Sequence, residues 1–399
     1  MRSVLVAALA ACGLALVGCE KKASSPPASS ATPGTATTTP GAMPWVSGDT
    51  ILIGEIGSLT GSEATFGIST RNAIELALKE INAAGGVKGK KIEVRVYDDQ
   101  SKPEEAANAA TRLINQDQVL LILGEVASTN SLAMARKAQP AGVPMISNAS
   151  TNPKVTEVGD QIFRVCFIDP FQGFVMAKFA RDHLKLNKVA ILRDLGSDYS
   201  QGLADVFERK FTEMGGKIVG QETYTKGNTD FRSQLTALKR LQPEGIYIPG
   251  YYNDVGIIAK QAKELGITAK LMGGDGWDSE KLFELGGTAV EGNYFSNHYS
   301  ADDPNPRIQK FIANYKATYG GVPDALAALG YDAAMVAADA MKRAPTLERK
   351  AVRDAIAATK NFPGVTGTIT LDDKRNATKP AVVLEVGQGK NKYVATIAP

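Results

Sequence analysis

The chain has 399 residues, a formal net charge of +3 and 44% hydrophobic residues, which is enough length and apolar content for two domains. The charge is near balance, with no basic block and no aromatic-basic stripe, which argues against nucleic acid as a partner. The chain has two histidines, His183 and His298, and neither has a partner at metal-ligand spacing. We therefore expect no metal and no cofactor.

Residues 1–18 are typical of a bacterial export signal. One Arg precedes an apolar run that is shorter than the roughly twenty residues needed to cross a membrane. The run ends in "LVGC", which resembles a lipobox, in which Cys19 becomes the lipid-bearing first residue of the mature protein. An ordinary small-residue cleavage site is the alternative. We expect a protein of the periplasm or cell envelope, held by lipid at Cys19 alone, and Glu20 leaves the outer membrane open as its location.

Residues 19–49 are rich in Ser, Thr, Pro, Ala and Gly and show no apolar periodicity, which predicts a flexible tether. Of the three cysteines, Cys12 lies in the signal and Cys19 takes the lipid. Cys166 alone remains, so no intramolecular disulfide can form. We expect Cys166 to be a buried small apolar residue.

From residue 50 onward, strand and helix patterns alternate. The apolar runs and alternating stretches "ILIGEIG", "KIEVRVYDD", "VLLIL" and "VPMIS" predict strands. The stretches "RNAIELALKEINAA", "EEAANAATRLINQ" and "SLAMARKAQ" have apolar residues at helical spacing. This order predicts an α/β fold with parallel strands and helices on both faces of the sheet.

A second alternating set begins near Asp169, and a mostly helical tail with two strand-like pieces follows Gly292. We expect two Rossmann-like lobes joined by a multi-strand hinge, with the tail returning to the first lobe and crossing again at the end. The predicted limits are 50–168 plus 296–378 for lobe 1, and 169–295 plus 379–399 for lobe 2.

Ligands of such sheets bind at the carboxyl ends of the strands, where small, hydroxyl, aromatic and acidic residues cluster in this chain. A helix N-terminus with hydroxyls holds a carboxylate, and an acidic group receives an ammonium. Ser128 and Thr151 could supply the hydroxyls and Asp275 the counter-charge. The alternatives are a helix N-cap for Ser128, a local turn for Thr151 and a turn residue for Asp275. Asp278 and Ser279 are predicted to cap the next helix.

Enzyme motifs find no support in the sequence. There is no Gly-x-Ser-x-Gly elbow and no Gly-x-Gly-x-x-Gly after the first strand. The stretch "GGVKGKK" lacks the Walker spacing and is predicted to end a helix in a turn. His183 and His298 are expected to be solvated or core histidines, so we predict no catalytic residue and no enzyme.

Several stretches resemble a known family. They are "IGEIGSLTGSEATFG", "INAAGGVKGKKIEVRVYDDQSKP", "SDYSQGLADVF", "TDFRSQLTALK" and "LMGGDGWDS". The resemblance is to the leucine/isoleucine/valine-binding protein family, receptors of amino-acid ABC importers with the periplasmic-binding-protein-like type I fold. It implies a receptor that captures a branched-chain or other apolar amino acid between its lobes and delivers it to a permease. It further implies a monomer.

The resemblance also implies roles for particular residues. Ser128 stands where the family binds the carboxylate, and Thr151 where it touches both carboxylate and ammonium. Ala149 would offer its carbonyl to the ammonium, and Asp275 would face the ammonium where the family often has Glu. The remaining ligand-binding positions are Ala127, Phe66, Tyr199, Tyr251 and Tyr331, the last near the cleft mouth.

Two questions stay open at this point. Glu63 and Glu125 lie near side-chain-pocket positions, and they either face the ligand or face solvent or pair with a nearby Arg. The same cleft would also serve a sensory or regulatory protein that binds an amino acid, amide or small carboxylate without transport.

Overall fold

The computed structural model describes residues 43–399. The predicted signal, the lipid cysteine and most of the tether lie outside the described residues. Within the described part of the chain, no helix combines the length and apolar character that a membrane span requires.

Strands of three sheets alternate with helices, as the sequence predicts. The strands are β1 (Val46–Ser47), β2 (Thr50–Gly57), β3 (Lys91–Asp98), β4 (Ile122–Leu123), β5 (Met145–Ser147), β6 (Ile162–Arg164), β7 (Lys188–Asp194), β8 (Lys217–Tyr224), β9 (Gly245–Tyr247), β10 (Lys270–Gly273), β11 (Tyr294–Asn297), β12 (Phe362–Gly364), β13 (Gly367–Ile369), β14 (Ala381–Glu385) and β15 (Lys392–Ile397).

The α-helices are α1 (Ala64–Ala83), α2 (Pro103–Asn115), α3 (Ser128–Ala138), α4 (Lys154–Glu157), α5 (Asp169–Lys178), α6 (Asp198–Glu213), α7 (Arg232–Arg240), α8 (Tyr252–Glu264), α9 (Glu280–Gly286), α10 (Pro306–Tyr319), α11 (Ala325–Arg343) and α12 (Arg349–Ala357). A π-helical turn, Phe179–His183, extends α5, and a 3-10 turn, Asp275–Trp277, follows β10.

The first sheet has the order β3-β2-β4-β5-β6, with these strands parallel and β1 antiparallel to the start of β2. Strands β4, β5 and β6 are buried on both faces, whereas the edge strand β3 exposes alternate side chains. Ile122 packs with Leu113 of α2 and Leu132 of α3 on one face, and Leu123 belongs to the core that includes Ile74 of α1 on the other.

The second sheet has the order β8-β7-β9-β10-β11-β14-β15, in which β14 and β15 are antiparallel to their neighbours. Helices α5 and α6 cover one face, where Phe207 packs with Ile191. Helices α7 and α8 cover the other, where Ile258 packs in a core with Leu192. In each sheet the strand order reverses beside the first long strand, β2 in the first sheet and β7 in the second. This places a crevice at the carboxyl ends of β2 and β4 in the first sheet and of β7 and β9 in the second.

The chain passes between the two sheets three times: after β6, after β11 and before β14. In the tail, α11 packs along α1 of the first lobe, and β14 then joins the second sheet, as the helical tail predicts. Cys166 lies at the first passage and is fully buried, which confirms its predicted place in the core.

Candidate functional site

A small cavity lies where the carboxyl ends of the two sheets face each other. Each lining segment follows a strand or begins a helix, so the backbone fixes where its side chain starts. The lining residues are Phe66, Val126, Ser128, Ala149, Thr151, Tyr199, Tyr251, Asp275, Gly276 and Leu326.

One side of the cavity consists of hydroxyls at a helix N-terminus. Ser128 is the first residue of α3, and its N-cap is Ala127, which provides no side-chain cap. The Ser128 Oγ accepts a 3.2 Å bond from the Asn152 N–H, so its own proton is free to donate. The Thr151 hydroxyl is buried and has no hydrogen-bond partner among the described residues. Ser128 is therefore not the N-cap, and two hydroxyls with a helix N-terminus suit a carboxylate.

Steric constraints explain why glycine follows the strand that precedes α3. Gly124 has a φ of +119°, and a Cβ there would lie 2.1 Å from the Ile56 carbonyl oxygen of the neighbouring strand. Only glycine accepts this conformation and this close approach. Gly124 thus lets the chain turn tightly out of β4 and present Ser128 at the crevice.

The opposite side of the cavity holds a carboxylate in a fixed position. The Asp275 Oδ1 accepts hydrogen bonds from Gln172 Nε2 at 2.7 Å and from the Tyr199 hydroxyl at 3.0 Å. The Asp275 Oδ2 lies 2.8 Å from His298 Nε2. These partners come from α5, α6 and the residue after β11. A carboxylate has about four lone-pair directions, so it can still accept a bond from a ligand cation.

Aromatic and aliphatic side chains complete the wall. The rings of Tyr199 and Tyr251 stack with centroids 5.2 Å apart, and Phe66 meets Tyr251 edge to face at 5.8 Å. Burial raises the pKa of both tyrosines well above its usual value, so their hydroxyls stay protonated. With Val126 and Leu326 these rings form an apolar surface between the two polar ends.

Residues 50–391 match the family model described as periplasmic binding protein. The chain belongs to this family. It is 31% identical over 334 residues to a Leu/Ile/Val-binding protein homolog of Brucella melitensis, covering 83% of this chain and 89% of the relative. Periplasmic binding proteins of this kind are substrate-binding receptors of ABC transporters, not enzymes.

Solved structures of similar proteins share the fold. A leucine-binding protein LivK from Thermotoga maritima is 42% identical, with a TM-score of 0.84, and covers 87% of this chain and 99% of its own. The LivJ protein of Streptococcus pneumoniae in complex with isoleucine is 35% identical, with a TM-score of 0.82 and coverage of 86% and 99%. A solute-binding protein of Rhodopseudomonas palustris in complex with 3,4-dihydroxybenzoic acid is 28% identical, with a TM-score of 0.79 and coverage of 88% and 98%.

For this periplasmic binding protein, the structure brings most of the sequence-predicted site residues together at the cavity. The seven are Phe66, Ser128, Ala149, Thr151, Tyr199, Tyr251 and Asp275. Two are placed elsewhere. Tyr331 donates from its hydroxyl to Glu80 and lines a separate groove beside Phe311, so its predicted place near the cleft is wrong. Ala127 lies behind the wall as the N-cap of α3.

Sequence reasoning missed three lining residues, Val126, Gly276 and Leu326. It also missed Gln172 and His298, which hold Asp275. Val126 and Gly276 lie next to predicted site residues in the sequence, and this proximity was a weak indication that they line the cavity. Leu326 lies in the alanine-rich stretch "DALAALG", whose pattern is that of an ordinary core helix. Nothing in the sequence links residue 172 or 298 to residue 275.

Glu63 and Glu125 do not line the cavity, although both are buried. Glu63 forms an ion pair with Lys226, with Oε1 and Nζ 2.5 Å apart. Glu125 accepts bonds from the Ser58 N–H and hydroxyl and, at 2.6 Å, from the Ala127 N–H. Burial raises the pKa of both carboxyls. Neither alternative left open by the sequence holds: the two side chains do not face the cavity, and they neither face solvent nor pair with an Arg.

Proposed function

We propose that this chain captures an amino acid with a branched or otherwise apolar side chain and delivers it to the permease of an ABC importer. The observation that carries the proposal is the arrangement of the cavity. Hydroxyls at a helix N-terminus lie on one side, the Asp275 carboxylate lies on the other, and an apolar wall lies between. A zwitterion with an apolar side chain matches these three surfaces.

The charge on Asp275 favours an amino acid over an aromatic carboxylate. The Rhodopseudomonas relative holds a dihydroxybenzoate, which has no cation. A benzoate would set its apolar ring against the buried Asp275 carboxylate and supply no counter-charge, which is costly even for a carboxylate that accepts hydrogen bonds. The relatives named for leucine and isoleucine support the same choice.

The test is calorimetric titration of the purified chain, freed of bound ligand, against the standard amino acids and 3,4-dihydroxybenzoate. We expect micromolar or tighter binding of leucine, isoleucine or valine. Ser128→Ala and Asp275→Asn each remove one bond to a charged group, and we expect about a ten- to hundredfold loss of affinity in each. Ser233→Ala on α7 and Asp373→Asn, both at exposed positions, are the matched controls. Preferential binding of the benzoate would overturn the proposal.

Transport and anchoring need separate tests. Loss of the gene should lower uptake of the labelled ligand in cells, whereas a purely sensory protein would leave initial uptake unchanged. We place the anchor at Cys19, and Cys19→Ser should abolish metabolic labelling with palmitate. We also place the lobe limits at 50–168 plus 296–378 and 169–295 plus 379–399. The membership of the strands in the two sheets supports this division except at 295/296, because β11 continues to Asn297 in the second sheet.

A further inference from the structure

His298 lies outside the cavity, in contact with the residue that faces the proposed ammonium. It follows β11, where the chain passes between the lobes for the second time, and it is 2% exposed. Its ring stacks on Phe167 of the first passage, with centroids 3.8 Å apart and planes 23° apart. Its Nε2 lies 2.8 Å from Asp275 Oδ2. His298 thus joins two hinge segments to the Asp275 carboxylate.

The contacts of the ring assign its protonation state. Nε2 faces a carboxylate oxygen and therefore carries the proton. Nδ1 is buried and meets no hydrogen-bond partner in the described part of the chain. An imidazolium would bury an N–H at Nδ1 without an acceptor. Burial also lowers the pKa of His298, although Asp275 opposes that shift. The neutral form, donating from Nε2, is the one that fits.

We propose that His298 is a positioning residue for amino-acid binding: its neutral ring holds the Asp275 carboxylate toward the ligand ammonium, and its protonated ring competes with that ammonium. This inference rests on the proposed function. It adds a hinge residue that sets how strongly the site holds a cation and how that strength depends on pH.

Other charged groups surround this pair. Lys379, from the third passage between the lobes, is buried and its charge disfavours the imidazolium. The titratable groups whose charge interacts with Asp275 include Asp169, Cys166, Tyr199, Tyr247, Tyr251 and Asp278. A ligand ammonium adds positive charge beside Asp275 and so lowers the pKa of His298 further. At a pH low enough to protonate His298, ligand binding therefore displaces the proton from the ring. The affinity for the ligand must then fall as the pH is lowered through the His298 titration.

The experiment titrates leucine calorimetrically at pH 8 and pH 5 into the wild-type chain, His298→Gln and His298→Phe. Glutamine places an N–H donor near the Nε2 position but cannot gain a proton, so its affinity at pH 8 should stay within a few-fold of wild type. Phenylalanine keeps the stack on Phe167 and removes the donor, so its affinity at pH 8 should fall by about tenfold. Between pH 8 and pH 5 the wild type should lose more affinity than His298→Gln, whose side chain cannot gain a proton.

Two results would overturn the inference. One is equal pH dependence in wild type and His298→Gln, and the other is full affinity in His298→Phe. If the wild type binds no amino acid at pH 8, the proposed function itself fails and the inference fails with it. Proton NMR provides a check that needs no variant, since the chain has two histidines. Leucine should shift the titration of the His298 ring to lower pH, and the signal of His183, which stacks on Phe179, identifies the second ring.

Discussion

The ion pair between Lys226 and Glu63 bridges the two lobes, and removal of the lysine alone should weaken ligand binding. Lys226 lies in the loop between β8 and α7, and Glu63 lies at the N-terminus of α1. Lys226 Nζ lies 2.5 Å from Glu63 Oε1 and donates to the Ser101 carbonyl at 3.0 Å. Only an arrangement in which the lobes face each other closely can make these contacts. In the closed, ligand-holding form the buried Glu63 carboxylate therefore depends on Lys226 for its counter-charge.

The exposure of the two side chains sets the size of the effect. Removing one partner of a fully buried ion pair costs about 3–5 kcal/mol because the other charge is left unpaired. The Glu63 side chain is 2% exposed, but that of Lys226 is 36% exposed, so water screens the interaction. We therefore expect about 1–2 kcal/mol for Lys226→Gln. That free energy corresponds to roughly a tenfold weaker apparent affinity for leucine.

A double-mutant cycle separates the ion pair from other effects of the substitutions. Calorimetric titration of leucine would compare Lys226→Gln, Glu63→Gln and the double variant. Glu63→Gln alone should cost little, because Lys226 can turn its ammonium into water. The double variant should recover most of the affinity that Lys226→Gln loses. The control is Lys350→Gln on α12, which removes the same charge from a lysine whose side chain is 79% exposed. A double variant as weak as Lys226→Gln would refute the reasoning.

Three further predictions concern stability, reactivity and specificity. Burial raises the pKa of Glu55 to about 7 despite its pairing with Arg71, so its stabilising contribution is complete below about pH 4.5 and is lost as pH rises through 7. Urea unfolding should therefore show Glu55→Gln gaining about 2–3 kcal/mol relative to wild type between pH 5 and pH 8, and parallel pH curves would contradict this. Burial raises the pKa of the Cys166 thiol to about 12, so a thiol reagent should label it only after denaturation, and rapid labelling of the native chain would contradict its burial. Leu326→Ala should lower the calorimetric affinity for leucine about tenfold and that for alanine far less. The control Tyr331→Phe should change neither affinity. Equal losses for leucine and alanine in Leu326→Ala would show that Leu326 does not contact the ligand side chain.

The sequence located most of the site because the fold obeys a positional rule. In parallel sheets the carboxyl ends of strands meet at one edge, so polar residues after strands become neighbours without any knowledge of their contacts. Ser128 after β4, Thr151 after β5 and Asp275 after β10 follow this rule, and the structure brings them to one cavity. The type of residue then indicates the chemistry.

The rule says nothing about which face of a helix meets the cleft, and there sequence reasoning went wrong. The family resemblance placed Tyr331 near the cleft mouth, but Leu326 occupies the wall instead. The two residues are five positions apart on α11, and at 3.6 residues per turn this separates their directions by about 140°. An alanine-rich helix that is buried nearly all round offers no polar face from which its rotation could be deduced.

Contacts between the two lobes could not be predicted from the sequence either. Lys226 follows a strand of the second lobe, but its partner Glu63 belongs to the first lobe, so this contact depends on how closely the two sheets approach each other. The close approach of the two sheets matters because each lobe contributes different groups to the cavity. The first lobe contributes the hydroxyls and the helix N-terminus, and the second contributes the carboxylate held by Gln172, Tyr199 and His298. A ligand with only an anionic group satisfies one side, whereas a zwitterion bonds both and so gains affinity only when the lobes close. Under the proposed function, recognition of the ammonium and closure of the cleft are therefore the same event.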